Sequence, residues 1–107
     1  MKKSLSILSI LLGAAAFAQV DVSASSGTET ATYTTVKAAF DAINAGTHQG
    51  VINITITANT SETATAALSR STGTSSFTSV TLKPAAGVNA TITNSTTAGP
   101  VFRILGS

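Results

Sequence analysis

The chain has no cysteine and no tryptophan, one tyrosine, one histidine and two prolines, and charged residues fill only 9% of its 107 positions. Each shortage closes off a class of function. Without cysteine there is no disulfide framework, thiolate metal site, cysteine nucleophile or lipid-modified N-terminal cysteine. With so few Lys and Arg there is no cluster to neutralise phosphates, so the chain does not read as a nucleic-acid binder. The single histidine, His48, stands in Gly46-Thr47-His48-Gln49-Gly50 with no second imidazole or neighbouring acid to share a metal, and it reads as an exposed turn residue. What is abundant is small and hydroxylated: 19 Thr, 14 Ser and 18 Ala supply nearly half of the chain.

The N-terminal segment is set apart from the rest. Lys2 and Lys3 precede an apolar run centred on Ile7, Leu8, Ile10, Leu11 and Leu12, and Ala16-Phe17-Ala18 places small residues at both positions that a signal peptidase reads. The run is shorter than the ~20 residues that span a bilayer. We therefore read residues 1–18 as a secretory signal peptide cut between Ala18 and Gln19, with no membrane span left after its removal. The remaining 89 of the 107 residues carry four bases (Lys37, Arg70, Lys83, Arg103) and four acids (Asp21, Glu29, Asp41, Glu62). The net positive charge thus belongs to the signal, and the exported chain is neutral, with no charge argument for nucleic acid or anionic lipid.

Hydrophobic periodicity then divides the chain. Residues 19–32, rich in Ser, Thr and Ala, read as a flexible leader or a weak first strand. Val36, Ala39, Phe40 and Ile43 recur at helical spacing, with Lys37, Asp41 and Asn44 opposite, Thr34 or Thr35 as N-cap and Gly46 as terminator. The spacing predicts a helix over about 35–45 that needs a partner for its narrow apolar face. Alternation puts Ile52, Ile54 and Ile56 on one side of a strand and Asn53, Thr55 and Thr57 on the other. Residues 58–61 read as a turn and 62–68 as an extended piece. Three further extended segments follow at 77–83, 88–94 and 101–106, with Pro84 stopping the first. The pattern is mainly β with one helix.

The order of features resembles a known family. The lead-in Ala31-Thr32-Tyr33-Thr34-Thr35, the helix Val36-Lys37-Ala38-Ala39-Phe40-Asp41-Ala42-Ile43, the glycine-containing turn and the isoleucine strand resemble the opening of right-handed parallel β-helix proteins of the pectin-lyase-like group. The whole run YTTVKAAFDAINAGTHQGVINITITANTSETA, followed by FTSVTLKPAAG, is similar to the start of secreted bacterial surface proteins of the type IX secretion kind. The resemblance implies that the helix caps the first coil, so that residues 33–107 are a capping helix plus the first β-helix coils, truncated at the C-terminus. It also implies export from a Gram-negative bacterium. A small β-sandwich with one helix is the alternative fold.

Chemistry-bearing residues are few. Asp41 and Glu62 are far apart in sequence, and Asp41 lies on the outward helix face, so paired-carboxylate hydrolysis has no basis. There is no Gly-x-Ser-x-Gly elbow and no Gly-Gly-x-Gly-x-Asp calcium repeat. Arg70 and Arg103 lack acidic neighbours and read as solvated surface. The sequons at Asn53, Asn59, Asn89 and Asn94 are expected by chance in so Thr-rich a chain. The expectation is a secreted or cell-surface module with a structural, adhesin-like role, no catalytic site, no cofactor and no metal. Extracellular glycan or other surface proteins are its expected partners. The alternative function is the N-terminal piece of a polysaccharide lyase or hydrolase whose active site lies beyond this chain.

Overall fold

The computed structural model describes residues 18–94 and 100–105. Most of the proposed signal peptide, including Ala16, lies outside the described residues. Among the described residues the fold is mainly β, built from three open sheets and one short helix. In chain order the elements are β1 (Val20–Gly27), β2 (Thr30–Tyr33), α1 (Val36–Asn44), β3 (His48–Ile56), β4 (Thr60–Glu62), β5 (Ala66–Leu68), β6 (Phe77–Pro84), β7 (Ile92–Asn94) and β8 (Phe102–Ile104).

Composition allowed residues 19–32 to be a leader, but they form an ordered hairpin. Val20 and Val22 of β1 are buried against the isoleucines of β3, and that burial gives the Ser/Thr-rich segment a reason to be a strand. Val20 pairs with Ile56, and Val22 pairs with Ile54, antiparallel, while β2 lies on the other side of β1. The main sheet has the order β2-β1-β3-β6. Its inner face carries Val20, Val22, Ile52, Ile54 and Ile56, all buried, and its outer face carries Asp21, Ser23, Asn53 and Thr81, all exposed.

The second half of the chain is laid on the first in parallel. Ile52 and Ile54 of β3 pair with Val80 and Leu82 of β6, Thr60 of β4 pairs with Ile92 of β7, and Ala66 of β5 pairs with Phe102 of β8. Each of three successive strands therefore finds its partner three strands later. Like residues stack on like: Ile52 on Val80, Ile54 on Leu82, Leu68 on Ile104. Between layers, short polar side chains bond to backbone. Asn59 Oδ1 accepts from Thr91 N at 2.7 Å, Thr65 Oγ1 donates to Pro100 O at 2.7 Å, and Thr93 Oγ1 donates to Thr60 O at 3.3 Å.

Several boundaries differ from the sequence pattern, and corners are the reason. The extended piece expected over 62–68 is two strands, because the chain turns at 63–65. The turn expected at 58–61 loses Thr60 and Ser61 to β4. The strand expected over 88–94 is confined to Ile92–Asn94, because Val88 N closes a turn onto Ala85 O through Gly87. A register shift opposite Gly50 and Val51 sets Phe77 partly inward and leaves Thr78 exposed, whereas simple alternation puts Thr78 with Val80 and Leu82.

Candidate functional sites: buried polar clusters and an open end

The helix α1 is one residue shorter at each end than its predicted span. Thr35 Oγ1 accepts from Ala38 N at 3.1 Å, making Thr35 the N-cap. Val36, Ala39, Phe40 and Ile43, the four residues of the predicted face, are all buried. They pack chiefly against β5, with further contact to β1 through β4. Phe40 also reaches the second layer, its ring 6.0 Å from that of Phe102.

Both ends of α1 are tied to the strands beneath by polar side chains. Glu62 of β4 is fully buried, and its carboxylate lies on the helix N-terminus. Oε2 accepts from Val36 N, and Oε1 accepts from Lys37 N, both at 2.9 Å. Thr60 Oγ1 donates to Oε2, also at 2.9 Å. A negative charge at this end of a helix meets the positive pole of the backbone dipoles, so Glu62 both supplies hydrogen-bond acceptors and compensates charge. With Thr35 it satisfies the first three N–H groups of the helix. At the other end, Asn44 Nδ2 donates to Ala67 O at 2.9 Å, and its Oδ1 accepts from Ser69 N at 2.8 Å. Asn44 therefore joins helix to strand, although periodicity placed it on the solvent side with Lys37 and Asp41. Those two do form an exposed ion pair, at 2.7 Å.

His48 is not an exposed turn residue: it opens β3 and is fully buried. Thr28 O lies 2.7 Å from Nδ1, and a carbonyl can only accept, so Nδ1 carries a proton. The Tyr33 hydroxyl lies 2.8 Å from Nε2 and forms a hydrogen bond with it. The imidazole is hydrogen-bonded on both nitrogens and fastens β2, the β1–β2 turn and β3 together. Burial pushes the Tyr33 phenol above its ordinary value of 10.0. The sequence signal for this cluster was faint, since an aromatic in β2 and a histidine after the helix become neighbours only through the hairpin.

Both clusters are hydrogen-bonded between elements of the fold. Among the described residues no three His, Cys, Asp or Glu side chains converge as a metal site, and no helix is long and apolar enough to cross a membrane. Asp41 is engaged with Lys37, while Glu62 is engaged with the helix, so the structure gives the two separate tasks. Arg70 and Arg103 are exposed, as expected for surface residues.

The remaining candidate is a surface. In each parallel ladder β6, β7 and β8 are the outer strands, and their inward side chains are only half covered. Leu68, Phe77, Val80, Ile104 and Leu105 line a groove of about 620 Å³ there, with Arg70 at its rim. Ile104 is 64% exposed. No protein-family profile, curated protein or solved structure matches the chain.

Proposed function

We propose that the chain is an exported, non-enzymatic structural module that closes one end of a parallel β-helix, with β3–β5 as its first coil and β6–β8 as its second. The observation that carries this reading is the set of three parallel ladders joining consecutive strands to the strands three places later. A stack of coils has an end of unpaired backbone and apolar side chains, and covering it removes both from water. The hairpin β1–β2 extends the β3 ladder, and α1 lies over β4 and β5 through Glu62 and Asn44. Its role is architectural, in the manner of a secreted or cell-surface adhesin.

Export is the second part of the reading. Gln19, the first residue after the proposed cut, is already held in the sheet: its N–H donates to Tyr33 O at 3.0 Å, and its carbonyl accepts from Thr57 N at 2.8 Å. Removal of residues 1–18 leaves the hairpin whole. The test is expression in a Gram-negative host with mass analysis of the exported product. A mature chain beginning at Gln19 is expected, and retention of an uncut chain in the cytoplasm contradicts export. For the closing role, Phe40→Asp should turn a non-aggregating exported chain into one that self-associates through uncovered β4 and β5. An unchanged association state in that variant contradicts it.

A further inference from the structure

The proposed cut makes a glutamine the first residue of the exported chain, and the fold gives that residue no slack. Gln19 N donates to Tyr33 O at 3.0 Å, and Gln19 O accepts from Thr57 N at 2.8 Å. The next residue, Val20, is fully buried and pairs with Tyr33 on one side and Ile56 on the other. Many chain ends carry loose residues that an exopeptidase removes without harm. Here the loss of Gln19 and Val20 takes a side chain out of the core and the first pair out of both β1 ladders. The terminal amine is therefore the point at which this hairpin is open to attack.

Glutamine carries its own means of closing that point. Its carboxamide carbon lies a short tether away from its own α-nitrogen, so a freed amine attacks it within the same residue at high effective concentration. We propose that Gln19 is a modification site: once residues 1–18 are removed, its amine closes on Cδ, and the mature chain begins with a pyroglutamyl ring that shields β1 from aminopeptidases. The N–Cδ bond forms and the Cδ–Nε2 bond breaks. The proton given up by the α-nitrogen goes to the leaving nitrogen, and ammonia departs. The step uses no oxidant, reductant or second substrate. The product suits the site in two ways. Cyclisation removes the ammonium charge that cleavage leaves between the end of β2 and the end of β3. The ring nitrogen also keeps one hydrogen, so a donor remains on the atom that faces Tyr33 O. The register of the cut matters: Ala18 or Val20 as first residue has no side-chain carbonyl on which to close.

The modification rests on the cut after Ala18 given under Proposed function, and one mass measurement tells the two apart. The full chain is expressed in a Gram-negative host, and the exported product is held at neutral pH before its intact mass and its N-terminal peptide are measured. The expected product starts at Gln19, is lighter than the unmodified chain by one ammonia, and has an N-terminal peptide whose α-nitrogen does not react with amine reagents. The variant Gln19→Ser should keep its full mass and a reactive terminus. Incubated with leucine aminopeptidase, the parent should stay whole, while Gln19→Ser should be trimmed through Val20 and unfold at a lower urea concentration. A parent that starts at Gln19 with a reactive amine and its full mass overturns the modification and leaves the export reading standing. An uncut chain, or one that starts at another residue, overturns both. If the aminopeptidase leaves Gln19→Ser as intact as the parent, the fold alone protects the end and the shielding role is wrong.

Discussion

Replacing Glu62 with alanine removes the side chain that accepts from the first two N–H groups of α1. The substitution takes away an acceptor from Val36 N, another from Lys37 N, and the partner of Thr60 Oγ1. Leaving a buried donor unsatisfied costs about 1–3 kcal/mol. Loss of a favourable charge at a helix N-terminus costs up to ~2 kcal/mol. Some of this is recovered by water entering the space left, and the terms overlap, so we expect a loss of about 3–4 kcal/mol. A small domain has about 5–15 kcal/mol in all, so the variant should unfold at a clearly lower urea concentration. Glu62→Gln separates the components. It keeps the shape and one oxygen acceptor but turns an NH₂ toward a backbone N–H, and about half the loss should remain. Equilibrium urea unfolding of the chain, followed by far-UV circular dichroism, measures both variants. A cost below about 1 kcal/mol for Glu62→Ala would refute the argument that this carboxylate anchors the helix.

Three further outcomes follow from the same contacts. Asn44→Ala should lose about 2 kcal/mol, because Ala67 O and Ser69 N both forfeit a partner, and amide exchange at Ser69 should quicken. Gly46→Ala combines a φ of +85° with a new Cβ 2.4 Å from Thr74 O, so strain and collision together should lower thermal stability by several degrees. For Tyr33, burial raises the phenol pKa in the folded state, so the folded chain holds its proton more tightly than the unfolded one. The stability linked to that difference is complete below the ordinary value near 10.0 and falls as pH rises through it toward the folded value. Base titration of phenolate absorbance should therefore show a midpoint above that of the urea-unfolded chain, and Tyr33→Phe should remove the alkaline loss.

How much of this was legible beforehand depended on whether the pattern was local. The helix announced itself because Val36, Ala39, Phe40 and Ile43 sit one turn apart, and the β3 strand did so because Ile52, Ile54 and Ile56 alternate. Both periodicities reflect a single buried face. The polar anchors were illegible for the opposite reason. Glu62 meets Val36 N across 26 positions, and nothing near Glu62 hints at a helix end. His48 looked exposed because its neighbours are glycine, threonine and glutamine; Tyr33, brought in by the β1–β2 hairpin, makes burial tolerable by supplying a hydrogen-bond partner for Nε2. Asn44 lies at the edge of the apolar face, where periodicity cannot tell solvent from a strand backbone. Corners blurred the short strands β4, β5 and β7, since Ser, Thr and Ala suit a turn and a strand almost equally.

The most direct test of the account concerns the parallel register of one layer on the next. Asn53 and Thr81 are partners across β3 and β6, both exposed on the outer face. Neighbouring strands lie about 4.8 Å apart, within reach of a disulfide. The chain has no native cysteine, so the double variant Asn53→Cys with Thr81→Cys contains one possible bond. The account predicts that it oxidises readily in the folded chain, while Asn53→Cys with Thr78→Cys, off the register, stays reduced. Equal oxidation of the two pairs, or none in the first, would contradict the stacking of β6 on β3.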